Sequence, residues 1–304
     1  MPDPTGPSSP TRPGLRDWLT GARVRTLPAA VAPVLAGTGA AAAVEGAHLG
    51  RALLAAGVAL ALQVGVNFAN DYSDGIRGTD DHRVGPQRLT ASGAVAPGAV
   101  KRAAFAAFGV AGVLGLALCL WAGSWWLLAV GALCVLAAWF YTGGKNPYGY
   151  RGLGEVAVFV FFGLVATIGT TYTQALQVTA ASVLAGSSIG LLACALLMAN
   201  NIRDIATDVG AGKRTLAVRL GDRRARVGYA VMLGAALVLA LVAIAASGVG
   251  AAILAVVVLA VPVVMLSRTV LRGATGPRLV AVLKSTGLLE LAFGVALGLV
   301  LWLG

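Results

Sequence analysis

Aspartate and asparagine are concentrated at two places, each directly after a long apolar segment. In the first, "NFANDYSDG", four such side chains are spaced so that a continuous helix would carry all of them on one face. In the second, "NNIRDIATDVG", three recur every four residues, again on one face. The two sets are Asn67, Asn70, Asp71 and Asp74, and Asn200, Asp204 and Asp208.

If the two faces converge, their oxygen atoms form the kind of site that hard divalent cations prefer. Magnesium binds through one or two carboxylates and leaves coordination positions for phosphate oxygens. Lys213 and Arg214 follow the second cluster and are suited to neutralise a phosphate. Taken alone, either cluster could instead be a helix cap or a solvated loop. For Asp80 and Asp81, further along the first loop, a solvated turn and a ligand role both remain open.

The elements that must position these clusters are membrane-spanning helices. The chain has 304 residues, 58% of them hydrophobic and only 12% charged, and several charge-free windows are long enough to cross a bilayer. We therefore predict an all-α, multi-pass transmembrane bundle of about nine helices. Residues 1–22 are assigned to a disordered cytoplasmic tail, and residues 23–304 to a single transmembrane domain. The predicted spans are 27–44, 52–70, 101–121, 125–142, 154–172, 180–200, 226–246, 249–267 and 281–303.

The basic residues test this count of spans. With nine spans, every lysine and arginine except Arg51 falls on one side of the membrane. The positive-inside rule makes that side cytoplasmic. The net charge of +11 is thus explained by topology and does not indicate a nucleic-acid partner. We expect a protein of the bacterial cell (inner) membrane, with the N-terminus and both acidic clusters in the cytoplasm and the C-terminus outside.

The motifs "NDYSD" and "RDIATD" resemble the paired aspartate-rich motifs of the UbiA superfamily of intramembrane prenyltransferases. The segments "RVRTLPAAVAPV" and "YTGGKNPYGYRGLGE" are similar to the branch that acts on 1,4-dihydroxy-2-naphthoate in menaquinone biosynthesis. The resemblance implies a bundle around a central cavity and a Mg2+-dependent enzyme. It also implies transfer of a polyprenyl group from polyprenyl diphosphate to the naphthoate, with release of diphosphate and carbon dioxide, giving demethylmenaquinone.

The resemblance also implies roles for individual residues. One departure is Lys145, which stands where much of this branch has a proline and instead resembles the diphosphate-binding lysine of related branches. The implied magnesium ligands are Asp71, Asp74, Asp204 and Asp208. The implied diphosphate-binding residues are Asn67, Asn70, Lys145, Lys213 and Arg214.

Other residues are weaker candidates for a substrate pocket, and each has a structural alternative. Arg25 either reaches the carboxylate of the aromatic acid or only sets topology. Tyr141 and Tyr148, with Tyr150, either line a pocket for the allylic cation or belong to an interfacial belt. Glu155 either bonds a substrate hydroxyl or caps a helix. The intramembrane Glu290 is either functional or simply protonated or paired.

The sequence leaves other functions open. Another aromatic acceptor, such as 4-hydroxybenzoate or homogentisate, or a haem, would suit the same motifs. A secondary transporter also combines repeat-like halves with intramembrane acids. However, the acids here cluster at one surface, and the spans that precede them have no interior proline. A structural scaffold leaves both motifs unexplained. Neither the prenyl chain length nor the oligomeric state is predicted.

Overall fold

A computed structural model of the chain describes residues 13–79, 88–247 and 253–304. Helices and short turns account for these residues, and no strand occurs among them. The helices are α1 (Leu15–Ala22), α2 (Pro28–Ala42), α3 (Leu49–Gly75), α4 (Pro97–Ala122), α5 (Leu127–Phe140), α6 (Gly154–Val158), α7 (Ala166–Ala175), α8 (Ala180–Gly210), α9 (Leu216–Leu220), α10 (Asp222–Ala246), α11 (Ile253–Leu271) and α12 (Gly276–Leu303).

These helices confirm the predicted fold class. Six segments are long and apolar enough to cross a membrane, where α6, a π-helical segment and α7 count as one continuous span, Gly154–Ala175. Three shorter apolar helices, α2, α5 and α11, coincide with the remaining predicted spans. The protein is therefore an integral membrane protein. Its core lies where α8, α10 and α12 pack together with α2.

The N-terminal segment differs from the prediction of a tail over residues 1–22. Residues 15–22 form α1, whose Trp18 ring meets the Phe68 ring edge-on with centroids 5.7 Å apart. Gly21 of α1 is buried against Phe68 and Leu89. The aromatic and small residues therefore dock α1 onto α3, and the ordered domain begins before residue 23.

Helices α3 and α8 are longer than the spans predicted for them. They contain 27 and 31 residues, which at about 1.5 Å per residue exceeds the roughly 30 Å of the hydrocarbon layer. The last turns of both helices therefore continue beyond the apolar segments, and both acidic clusters lie on helix. This confirms that the clusters occupy helical faces.

The span Gly154–Ala175 contains a π-helical segment, Phe159–Val165. Such wide turns are rare and occur often at functional sites. Gly163, within the segment, packs directly on α8: a Cβ atom there would lie 2.7 Å from the carbonyl oxygen of Gly186. The absence of a side chain at Gly163 thus lets this wide turn approach α8 closely.

Candidate functional site

A central cavity of about 320 Å³ lies between α2, α3, α5, the π-helical segment and α8. One part of its wall is polar and carries side chains from the ends of α3 and α8, including Asp74, Asp204 and Asp208. The rest is apolar and is built largely from alanines, leucines and the rings of Phe161 and Phe162. The cavity can hold a charged group at one end and a hydrocarbon or an aromatic ring at the other.

Asp74 is the centre of the polar end. The residue is 5% exposed, and its side chain lies against three groups from other segments. The Tyr150 hydroxyl donates a hydrogen bond to Asp74 Oδ1, and the Lys213 ammonium lies 3.4 Å from the same oxygen. The guanidinium of Arg88 lies 3.7 Å from Asp74 Oδ2. Lys213 lies in the turn after α8 and Asp74 in the last turn of α3, so this ion pair joins the first cluster to the segment that follows the second.

The second cluster also faces the cavity. Arg203 makes a two-pronged contact with the Asp204 carboxylate, at 2.7 and 2.6 Å, and donates another bond of 2.9 Å to Asn200 Oδ1. Asp208, one turn further on, lines the cavity, and its backbone carbonyl accepts from the Lys213 amide at 2.8 Å. The turn after α8 is thereby folded back, which points the Lys213 side chain towards Asp74.

Asp71 is placed differently from the expectation that it faces the cavity. It is 1% exposed and does not line the cavity. Its two carboxylate oxygens accept hydrogen bonds from the backbone amides of Leu89 and Thr90, at 2.9 and 2.8 Å. The carboxylate therefore holds the segment that carries Arg88, whose guanidinium lies beside Asp74.

The asparagines of the first cluster make contacts within the protein. Asn67 donates to the Ala22 carbonyl at 2.9 Å and to the Thr26 hydroxyl at 3.0 Å. Asn70 accepts a bond of 2.8 Å from the Thr142 hydroxyl. Both asparagines line the cavity, so they tie its wall to neighbouring segments.

The donor set of the polar end suits magnesium. Within residues 13–79, 88–247 and 253–304, no three His, Cys, Asp or Glu side chains form a group that could hold a metal ion by themselves. Carboxylates of Asp74, Asp204 and Asp208 nevertheless face one cavity, together with amide oxygens. Magnesium needs only a few protein oxygens when phosphate supplies the others. Asp80 and Asp81 lie outside the described residues.

Two of the predicted diphosphate-binding residues lie elsewhere. Lys145 and Arg214 are exposed and line a separate surface cleft with Arg151 and Arg219, and neither lines the central cavity. Tyr150 contributes to the walls of both spaces. Of the predicted cations, Lys213 alone lines the central cavity, and its ammonium lies 4.6 Å from the centre of the Tyr150 ring.

All three tyrosines of the loop after α5 line the cavity. The rings of Tyr141 and Tyr148 meet edge-on at 5.5 Å, and the Tyr148 hydroxyl donates to the Ala137 carbonyl at 2.8 Å. Burial raises the pKa of Tyr148 to about 12 and also raises the pKa of Tyr141. Burial, followed by the adjacent Asp74 carboxylate, raises the pKa of Tyr150. At neutral pH all three are therefore protonated phenols that offer aromatic faces and hydroxyl donors.

Arg25 is exposed and does not line the cavity. Arg23, two residues earlier, lines it instead, and its backbone has left-handed dihedral angles, φ 51° and ψ 58°. Sequence reasoning counted Arg23 and Arg88 only as markers of topology and missed both as site residues. Arg88 stands in no distinctive motif, and within the segment "RVRTLPAAVAPV" nothing separates Arg23 from Arg25.

Neither of the two glutamates lines the cavity. Glu155 is buried in the first turn of α6 and accepts a 3.0 Å bond from the amide of Asn201, a cavity residue. Its second oxygen has no hydrogen-bond partner in the described part of the chain. Glu290 is 0% exposed within α12, and neither of its oxygens has a hydrogen-bond partner among the same residues.

Comparison with protein families gives a match over most of the chain. Residues 30–301 match the UbiA prenyltransferase family. A 1,4-dihydroxy-2-naphthoate octaprenyltransferase of Mycobacterium tuberculosis is 50% identical over 280 residues, which are 92% of this chain and 94% of the relative. A protein of the same name from Escherichia coli is 41% identical over 229 residues, 73% of this chain and 74% of that protein.

Solved structures show the same fold. The apo structure of a UbiA homologue from Aeropyrum pernix has a TM-score of 0.68 at 18% identity and covers 90% of this chain and 96% of its own. A UbiA homologue from Archaeoglobus fulgidus bound to GPP and Mg2+ has a TM-score of 0.66 at 14% identity, with 95% and 100% covered. At these identities the likeness concerns the arrangement of the helices alone.

Proposed function

The chain belongs to the UbiA prenyltransferase family, and from this premise we propose that its acceptor is 1,4-dihydroxy-2-naphthoate and its donor a polyprenyl diphosphate. The protein is a prenyltransferase by family. The acceptor is inferred from relatives that are named for this substrate and match over nine-tenths of both chains, and the chemistry of the cavity supports it. Product formation would place the enzyme in menaquinone biosynthesis.

The observation that carries the proposal is the meeting of the two acidic helix ends over one cavity. The Lys213–Asp74 contact joins the segment after α8 to the end of α3. Carboxylates and cations lie at that end, and apolar side chains line the rest. A diphosphate would bind at the polar end, and its isoprenoid tail would extend along the apolar wall.

We assign the diphosphate end as follows. Asp74, Asp204 and Asp208 would hold magnesium, which supplies positive charge to the diphosphate when bound. Lys213 and Arg88 would contact the diphosphate oxygens directly, because both line the cavity beside Asp74. The placement of Asp71 supports a different role for it, that of holding the Arg88 segment.

The chain's own residues then favour cleavage of the carbon–oxygen bond. Lys213 and Arg88 stabilise the charge that develops on the departing diphosphate, which takes the electron pair of that bond. The aromatic faces of Tyr141, Tyr148 and Tyr150 stabilise the allylic cation that remains. The apolar wall excludes water, which would otherwise convert the cation to an alcohol.

The electron-rich ring of the acceptor then forms a carbon–carbon bond to the allylic carbon. If attack occurs at the carbon that bears the carboxylate, the bond to the carboxylate breaks and its electron pair restores the aromatic ring. Carbon dioxide leaves and a prenylated quinol remains. No ring proton has to be removed, so this reaction needs no general base at the ring.

We propose a bacterial cell membrane location with the N-terminus and both acidic helix ends in the cytoplasm and the C-terminus outside. The distribution of basic residues supports this orientation. It places the diphosphate end of the cavity on the cytoplasmic side of the membrane.

The test is to incubate the purified full-length protein in lipid bilayers with polyprenyl diphosphate, Mg2+ and one aromatic acid at a time. Carboxyl-labelled dihydroxynaphthoate should release labelled carbon dioxide and form a prenylated quinol, and chelation of Mg2+ should stop both. Turnover of 4-hydroxybenzoate or homogentisate with none of the naphthoate would refute the proposed acceptor.

A further inference from the structure

Gln63 of α3 has a fixed orientation on the cavity wall. The Thr26 hydroxyl donates its only proton to the Arg23 carbonyl, at 2.9 Å. The same hydroxyl oxygen can therefore only accept from Gln63 and Asn67, and their amide nitrogens lie 2.9 and 3.0 Å from it. With the Thr26 proton on the Arg23 carbonyl, the nitrogen of Gln63 faces Thr26 and its carbonyl oxygen points the other way.

That carbonyl oxygen is a buried hydrogen-bond acceptor for which the structure shows no donor among the described residues. Gln63 is 6% exposed and lines the central cavity. Its Oε1 atom has no hydrogen-bond partner among the residues that the structure describes. A buried amide oxygen left in this state destabilises the protein, and native structures rarely leave such a group without a role. An O–H or N–H group of a ligand in the cavity would satisfy it.

Arg23 brings a positive charge to the same cavity, which both residues line. Its backbone carbonyl accepts the proton of the Thr26 hydroxyl that Gln63 also contacts. Its left-handed backbone is uncommon for a residue other than glycine, and such conformations concentrate at functional sites. An arginine fork at such a site recognises a carboxylate through paired hydrogen bonds.

We propose that Arg23 and Gln63 form the acceptor subsite, in which Arg23 binds the carboxylate of a hydroxylated aromatic acid and Gln63 Oε1 accepts a bond from its hydroxyl. This inference rests on the proposed function and deepens it. Small side chains at Ala30 and Ala59 line the adjacent wall and leave room for a planar ring.

The position along α3 agrees with this role. Gln63 precedes Asp74 by eleven residues, which is about 16 Å along the helix axis. The subsite is therefore set back from the diphosphate end, so the ring carbon that bears the carboxylate can meet the allylic carbon between the two. Asn67, which shares the Thr26 hydroxyl, lies one turn from Gln63 on the side of Asp74.

The test measures the binding of three naphthalenes to the purified full-length protein in the absence of prenyl diphosphate. Ligand fluorescence reports the binding. The ligands are 1,4-dihydroxy-2-naphthoate, 2-naphthoate, which lacks the hydroxyls, and 1,4-dihydroxynaphthalene, which lacks the carboxylate. Arg23→Ala should lower the affinity for both acids by roughly 10- to 100-fold and the affinity for dihydroxynaphthalene by less than about threefold. Gln63→Leu should lower the affinity for the two hydroxylated ligands by roughly 3- to 10-fold and leave the affinity for 2-naphthoate unchanged.

Arg16→Ala, which removes an exposed cation from α1, is the matched control and should leave all three affinities unchanged. Equal weakening of all three ligands by either variant would indicate a structural effect and overturn the proposal. So would wild-type affinity in both variants, or a larger loss in Arg25→Ala than in Arg23→Ala. If the subsite variants behave as expected but turnover occurs only with another aromatic acid, the subsite stands and the proposed acceptor fails. If dihydroxynaphthoate is prenylated while both variants bind it with normal affinity, the proposed acceptor stands and the subsite fails.

Discussion

The substitution Asp71→Asn distinguishes two roles for the Asp71 carboxylate: holding the segment before α4, or binding a metal ion. The Asp71 oxygens accept from the Leu89 and Thr90 amides, and the segment they hold places Arg88 beside Asp74. Asparagine has nearly the same shape but only one acceptor oxygen, and its NH2 group would oppose one of the two backbone amides.

The expected magnitude follows from these two bonds. Hydrogen bonds to a charged group contribute about 1.5–3 kcal/mol each, a neutral one about 0.5–1.5, and an amide left without an acceptor costs about 1–3 kcal/mol. Docking of the segment should therefore weaken by about 2–4 kcal/mol. This corresponds to roughly 30- to 1,000-fold in the docked population, which is the upper limit for the loss in kcat/KM.

Two measurements test this reasoning in the intact protein. Steady-state kinetics should show an increased KM for prenyl diphosphate, with the Mg2+ concentration for half-maximal activity changed by less than about threefold. Hydrogen exchange at the Leu89 and Thr90 amides should accelerate. Asp222→Asn, which removes a half-exposed carboxylate paired with Arg226, is the control. A tenfold or greater rise in the Mg2+ requirement with unchanged exchange at the two amides would refute the positioning role and restore Asp71 as a metal ligand.

Three further predictions concern the cavity and its wall. Asp208→Asn should lower Mg2+-dependent turnover by about 100-fold or more without loss of helical circular dichroism, and unchanged turnover would argue against a metal-binding role. Lys213→Ala should raise the KM for prenyl diphosphate by roughly 10- to 100-fold, whereas Lys145→Ala should change it less than about twofold, and the opposite order would favour the surface cleft as the diphosphate site. Gly163→Val should destabilise the protein by about 1–3 kcal/mol in thermal unfolding because its side chain would collide with α8. Gly169→Val, at a position with open space, should be close to neutral, and equal effects would contradict the packing argument.

Much of the fold was predictable from the sequence because the bilayer imposes a simple rule. Apolar segments long enough to cross it must be helical, and the basic residues then report their direction. The convergence of the two acidic helix ends followed from their equivalent positions. The lengths of α3 and α8 were underestimated because their last turns are polar and helical, and hydropathy does not distinguish such turns from loops.

The orientation of individual side chains was less predictable. At about 100° per residue, Asn70 and Asp71 lie on opposite edges of the stripe centred on Asn67 and Asp74. Asn70 contacts the loop after α5, and Asp71 contacts the segment before α4. Which edge faces the cavity depends on packing between helices, and spacing along one helix cannot show it.

The arginines and lysines illustrate the same limit. The sequence does not distinguish neighbouring cations such as Lys213 and Arg214 as diphosphate-binding residues. In the structure, Lys213 lines the cavity and Arg214 lines a surface cleft. The folding back of the turn after α8, fixed by a backbone bond to Asp208, decides between them. For Arg23 and Arg25 the deciding feature is the left-handed residue that ends α1.

The wide turn at Phe159–Val165 bears on how this bundle can change over evolution. A π turn differs from an α turn by one inserted residue, so deletion of a single residue there would restore a regular helix while both flanks of the span kept their neighbours. One of the two adjacent rings, Phe161 or Phe162, would then rotate off the cavity wall. Gain or loss of one codon could thus change the width of the central cavity while the rest of the transmembrane helix kept its packing.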